Sequence, residues 1–204
     1  MSDDNKGFWQ RFAFIYGAFM KKSEPLYRKI CEQTAPELNA RMSVLELACG
    51  TGQLTFPLCD EVKSWRATDF SEKMIEQAKR LKTDENVIFE VQDATALTYE
   101  NESFDAVLIS NALHIMPDPE KALSEIKRVL KPNGILFAPT FVWRENSQGL
   151  KIKLMELLGF RAYHKWSGKE YAEFIAKNGF SVVTAPILGG GLTMLCNLQA
   201  KAEK

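Results

Sequence analysis

Apolar residues recur every three or four positions in residues 8–20, where Phe8, Trp9, Phe12, Ile15, Tyr16, Phe19 and Met20 form one helical stripe. A second helix is expected from about Ser23, with Pro25 tolerated in its first turn, ending before Pro36. From residue 44 the pattern changes. Short apolar runs at 44–47, 64–69, 87–91, 104–109 and 135–141 read as strands. Helices at 54–59, 71–82 and 118–130 alternate with them. Ser71 reads as the N-cap of the second of these, and Asp118-Pro119 as the cap and first-turn proline of the third. Lys131-Pro132-Asn133-Gly134 is a stop and turn. Ser167 and Glu170 form a capping box that opens a last helix, closed by Asn178-Gly179. Two β-like runs follow, 180–188 and 193–198. Gly189-Gly190-Gly191 joins them, too short for a parallel crossover and right for an antiparallel hairpin.

This alternation predicts an α/β chain: a three-layer α/β/α sandwich around a mainly parallel seven-stranded sheet with a C-terminal antiparallel hairpin. Residues 1–40 read as an N-terminal helical cover and 41–204 as the main domain. Within it, 142–166 reads as a helical lid insertion, with Leu150, Leu154, Leu157 and Leu158 at helical spacing and Trp143, Phe160, Tyr163 and Trp166 adding aromatic bulk.

Composition narrows the partners. The 204 residues are 46% apolar and carry 26 basic and 26 acidic side chains, so there is no basic excess for a nucleic-acid backbone or an anionic membrane surface. Met1-Ser2-Asp3-Asp4 is acidic where a secretory signal is basic, and no apolar run approaches the roughly 20 residues of a membrane span. Cys31, Cys49, Cys59 and Cys196 form no CxxC pair; they read as buried thiols in a reducing cytoplasm, with no metal site.

The candidate chemistry starts at Glu46, which a strand delivers just before the small-residue loop Ala48-Cys49-Gly50-Thr51-Gly52. Such a loop lets a ligand approach the backbone, and the helix after it presents free amides. Asp69 ends the second strand and Asp93-Ala94 the third. Asp69 is placed to accept two hydroxyl hydrogen bonds. With the stretches 104–111, Leu113-His114, Asp118-Pro119 and 128–134, this pattern resembles the class I S-adenosylmethionine-dependent methyltransferases, in the branch that includes quinone-biosynthesis and other small-molecule enzymes. The resemblance implies S-adenosylmethionine as cofactor and S-adenosylhomocysteine as product. It implies a cofactor site of Glu46, Ala48, Gly50, Gly52, Asp69, Phe70, Met74, Asp93, Ala94, Ser110 and Asn111. His114 would lie beside the methyl group as a base or an orienting group, and Tyr16 would reach the site from the first helix. Ala48 stands where the family often has glycine, which is harmless if φ there is negative. Asn133 replaces another glycine and suits a left-handed turn.

Plainer readings stand beside these. Glu46 and Asp93 could each cap a helix, Asp69 could be a turn residue, and Phe70 and Met74 could be core. His114 could be a packing residue, and His164 reads as a surface or lid residue. The expectation is a cytoplasmic methyltransferase acting on a small, largely apolar acceptor in an enclosed pocket, with neither nucleic acid nor membrane insertion involved. The alternatives are a protein or RNA methyltransferase that needs a partner, or a binding module without transfer activity. A nicotinamide oxidoreductase is disfavoured, because Thr55 stands where the third glycine of a dinucleotide fingerprint belongs. The acceptor, the atom methylated and the oligomeric state stay open.

Overall fold

The computed structural model describes residues 7, 10, 23–81, 85–143, 161–190 and 193–203. The expected helix of residues 8–20 with Tyr16, and the insertion's Leu150, Leu154, Leu157, Leu158 and Phe160, fall outside the described residues. The strands are β1 (Ser43–Leu47), β2 (Ser64–Asp69), β3 (Val87–Val91), β4 (Phe104–Ile109), β5 (Leu130–Val142), β6 (Phe180–Thr184), β7 (Ile187–Gly190) and β8 (Thr193–Ala202). The helices are α1 (Glu24–Thr34), α2 (Thr55–Leu58), α3 (Glu72–Leu81), α4 (Pro119–Val129) and α5 (Gly168–Lys177).

Among the described residues these strands form one sheet in the order β3-β2-β1-β4-β5-β8-β6, with β7 also paired to β8. The first five run parallel, and β8 lies antiparallel to β5, β6 and β7. β4 explains the layering. Ala106 and Leu108 enter one apolar core while Val107 and Ile109 enter the other, so a strand covered on both faces carries no polar alternation. One core holds α4 and α5. The other holds α1 and α3, with Leu26, Tyr27 and Ile30 of α1 packed near Trp65 and Leu108. The described part of the 1–40 segment is therefore packed into the core beneath the sheet.

The structure departs from expectation at four places. The 180–188 run breaks at Ala185-Pro186, and both pieces pair with β8, so eight strands fill seven positions across the sheet. Proline has no amide to continue the ladder. The expected 54–59 helix is a single α turn, followed by a 3₁₀ turn at Cys59–Glu61. A 3₁₀ turn at Ala35–Glu37 extends past the predicted stop at Pro36. β5 begins at Leu130, through the predicted turn, because residues 131–134 bulge out and shift the register from Phe104↔Leu130 to Ala106↔Ile135. Asn133 takes φ 64° there, as a left-handed turn needs. Lys131 Nζ reaches both Asp105 oxygens at 2.9 Å, and Asp105 also accepts the Ser43 amide that starts β1.

Gly134 makes the bulge fit. A Cβ there would lie 2.9 Å from the Lys131 carbonyl oxygen and 3.1 Å from that of Asp105. Gly134→Ala is expected to lower unfolding stability by about 2 kcal/mol in chemical denaturation; an unchanged midpoint would mean that the bulge yields freely.

Candidate functional site

The sheet reverses its winding between β1 and β4, and a crevice at the carboxyl ends of such strands is where open α/β sheets bind ligands. Three strands end there together, since Leu47 is level with Thr68 of β2 and Ile109 of β4. The loop that leaves β1 coils through alternate left-handed residues: Ala48 at φ 55°, Gly50 at 57° and Gly52 at 90°. The Cys49 amide donates to the Thr68 carbonyl at 2.9 Å. A side chain at Gly52 would strike the Phe56 ring, 2.4 Å away. Ala48 therefore contradicts the expectation of a negative φ. The loop closure forces it into a conformation that costs an L-residue about 1–2 kcal/mol.

Asp69 fixes the coil. Its Oδ2 accepts the Gly50 amide at 3.0 Å and its Oδ1 the Ser71 amide at 2.8 Å. Burial pushes its carboxyl up to about 6, against the hydrogen bonds from Ser71, Gly50 and Phe70 that favour the charged form. Ser71 Oγ in turn accepts the Met74 amide at the start of α3. Phe70 is half-buried at the rim. Met74 is 2% exposed yet belongs to neither core cluster among the described residues.

Glu46 lies one layer below. Strand alternation turns it to the α1 side, where Oε2 accepts the Thr55 hydroxyl at 2.5 Å and the Trp65 indole N–H at 2.9 Å. It braces the loop's exit into α2 from beneath. Burial pushes its carboxyl up to about 7, and the nearby Asp69 adds to the rise. Asp93 stands two residues past β3, and no helix follows it. Its Oδ1 accepts the amide and hydroxyl of Thr95 at 2.9 and 2.8 Å, closing a turn, while Ala94 packs against the first core.

Across the switch point, Asn111 (φ 52°) ties three elements together. Its amide donates to the Pro139 carbonyl, its Oδ1 accepts the Phe141 amide, and its Nδ2 donates to the Tyr27 hydroxyl at 3.0 Å and to Ser110 Oγ at 3.2 Å. Tyr27 escaped the sequence reading because it sits within an apolar helical stripe. His114 occupies a 3₁₀ turn, Leu113–Ile115, with Nδ1 2.9 Å from Thr140 Oγ1 and its ring edge-on to Trp143. Burial drives its imidazole down to about 3, and His164 adds to the fall, so it is uncharged at neutral pH.

His164, expected as a surface or lid residue, is half-buried in the run of residues 161–167. Its ring stacks on Trp166 at 4.7 Å, and its Nε2 is buried with no hydrogen-bond partner among the described residues. Residues 161–166 alternate exposed and half-buried, with His164 on the inner side. Among the described residues no three metal-ligating side chains cluster, the four cysteines are unbonded, and no helix is long and apolar enough to cross a membrane.

Comparison with known proteins matches residues 45–138, β1 through the middle of β5, to the family described as a methyltransferase domain. Residues 45–138 form a methyltransferase domain. Its sheet order and crevice match a Rossmann-like α/β methyltransferase fold. A demethylmenaquinone methyltransferase of Clavibacter sepedonicus is 45% identical over 92 residues, 45% of this chain and 38% of that protein. One from Paenarthrobacter aurescens is 29% identical over 189 residues, 83% of this chain and 74% of that protein. The chain thus spans about two fifths of the length of the relatives that match it over the domain's core, 38% and 40%. A Haloferax volcanii putative methyltransferase, solved in complex with the Trm112 methyltransferase activator, shares the fold with TM-score 0.80 at 20% identity, covering 96% of this chain and 98% of that one.

Two outcomes follow for the methyltransferase domain's loop. Ala48→Gly relieves the left-handed strain but loosens the unfolded chain, and is expected to stabilise by up to about 1 kcal/mol in urea titration; destabilisation would show that the methyl group's packing outweighs its strain. The folded-state value for Glu46 lies above its unfolded one. Its share of stability is therefore present below about pH 4.5 and lost as pH rises through about 7. Glu46→Gln should remove that loss, so the variant gains on the wild type by about 3 kcal/mol between pH 5 and pH 8. A pH-independent difference in denaturation would refute the buried ionisation.

Proposed function

We propose that this chain transfers a methyl group from S-adenosylmethionine to a small acceptor. The observation that carries this reading is the Asp69–Gly50 clamp at the switch point. The Asp69 carboxylate has about four lone-pair directions and gives three to the Gly50, Ser71 and Phe70 amides, so it can accept a ribose hydroxyl without releasing the loop. Ala48, Gly50 and Gly52 give the methionine part a close approach to the backbone. Phe70 and Met74 suit the adenine face, Asp93 and Ala94 the adenine edge, and Ser110 and Asn111 the methionine end. Glu46 serves from below, as the brace of the loop. The bound cofactor supplies a methyl group activated on a sulfonium.

The chain's own share is to align the acceptor and exclude water. His114, uncharged and tied to Thr140, is a poor proton acceptor and serves to orient. The resemblance that assigns the cofactor residues also implies Tyr16 at the acceptor. The relatives' name, demethylmenaquinone methyltransferase, supports a quinone-type small molecule as acceptor, and the balanced charge supports the same choice over nucleic acid. Four unbonded thiols support a cytoplasmic setting.

Asp69→Ala tests the reading. It is expected to weaken S-adenosylhomocysteine binding by about 1.5–3 kcal/mol in titration calorimetry, with the fold retained. Gly50→Val is expected to do the same, because valine suits neither the left-handed φ of 57° nor a close approach of the ligand to the backbone. Unchanged affinity in both variants would overturn the cofactor site. Absence of turnover across thiols, phenols and quinols by a wild type that binds the cofactor would overturn the transfer activity.

A further inference from the structure

The two loops that wall the crevice leave adjacent strands in register. Leu47 of β1 is level with Ile109 of β4, so Cys49 and Asn111 each stand two residues past a paired strand end. Both loops turn through left-handed backbone, at Ala48 (φ 55°) and at Asn111 (φ 52°). An L-residue rarely holds that conformation unaided, and asparagine tolerates it better than most. On the β1 side Asp69 is the clamp. On the β4 side the loop is held through the Asn111 side chain.

The partners of that side chain fix which way its amide faces. Oδ1 accepts the Phe141 amide at 3.1 Å, so Nδ2 is the group that donates to the Tyr27 hydroxyl at 3.0 Å and to Ser110 Oγ at 3.2 Å. Two bonds, to the Pro139 carbonyl and from the Phe141 amide, hold Asn111 from β5. The Tyr27 hydroxyl holds it from α1, 84 residues away in sequence. The Tyr27 ring is 8% exposed, in the same core as Ile30 and Leu108. Phenylalanine would fill that space equally well, so the hydroxyl answers to the loop and not to the core. The sheet order also divides the crevice. Asp69 and Asp93 lie on the β2 and β3 side of β1, and Asn111 lies on the other side.

We propose that Tyr27 is a positioning residue: through Asn111, its hydroxyl fixes the loop past β4 against the amino-acid end of the bound cofactor. This rests on the cofactor reading above and extends it to a residue of α1. Loss of the hydroxyl loosens one wall of the crevice and leaves the nucleoside wall as it was.

Equilibrium dialysis of the full chain compares S-adenosylhomocysteine with 5′-methylthioadenosine, which keeps the nucleoside and sulfur but lacks the amino-acid end. Tyr27→Phe is expected to weaken S-adenosylhomocysteine about fivefold or more and to change 5′-methylthioadenosine by less than about twofold. A ring that served packing alone would weaken both alike or neither. Asn111→Gly keeps the left-handed turn and removes the side-chain bridge. In that background Tyr27→Phe is expected to cost no further affinity for S-adenosylhomocysteine. Unchanged S-adenosylhomocysteine affinity in Tyr27→Phe, an equal loss for both ligands, or a full further loss in the Asn111→Gly background would overturn the positioning role alone. Should 5′-methylthioadenosine not bind the wild type, the Asn111→Gly comparison decides by itself. A wild type that binds neither ligand would overturn the cofactor reading, and the role of Tyr27 with it.

Discussion

Asp69 joins three pieces of chain at the carboxyl end of the sheet. Its side chain holds the Gly50 and Ser71 amides, and its backbone carbonyl accepts the Gln92 amide at 3.2 Å just past β3. The loop after β1, the start of α3 and the exit of β3 are thereby fixed relative to one another. The group is 8% exposed, so these hydrogen bonds act at low effective dielectric and are stiff. Glu46 repeats the arrangement one layer down, where its carboxylate ties α2 to Trp65. The two buried acids repel each other through the loop between them.

The acceptor side is built on different terms. Pro139 stands in the middle of β5, a position where a missing amide would normally break the sheet. Within a strand, a residue's N–H and C=O point to the same side, and the Pro139 carbonyl meets Asn111 just beyond the end of β4. The absent donor thus faces the point where β4 has run out and no ladder remains to be completed. Asn111 then turns left-handed, and the chain stays against β5 as far as His114, whose Nδ1 lies 2.9 Å from Thr140 Oγ1.

Much of this was legible locally. The apolar β4, the Ser167–Glu170 capping box and the Asn133 turn depend on neighbours within a few residues, and both helix and sheet periods stand out. The acids Glu46 and Asp69 were legible as site candidates, but their partners were not. Trp65 lies 19 residues from Glu46, and Gly50 the same distance from Asp69, so tertiary closure alone decides which hydrogen bonds form. The φ of Ala48 was hidden for the same reason, because the Cys49–Thr68 and Gly50–Asp69 bonds impose it from outside the loop. Asp93 suggested a cap because caps and turns use the same side-chain bond to an amide two or three residues on.

The placement of β8 between β5 and β6 has a consequence for the order in which the protein assembles. β1 to β5 pair among themselves, and β5 takes β8 on its other edge. β6 and β7 find their sheet partner in β8, which is made after them, and β5 meets β8 across the 50 residues between Val142 and Thr193. During synthesis the β5 edge and the Val183 and Ile187 side chains, about half exposed even in the finished fold, wait for a strand that has yet to leave the ribosome. Closure of that gap is a long-range step, opposed by loop entropy.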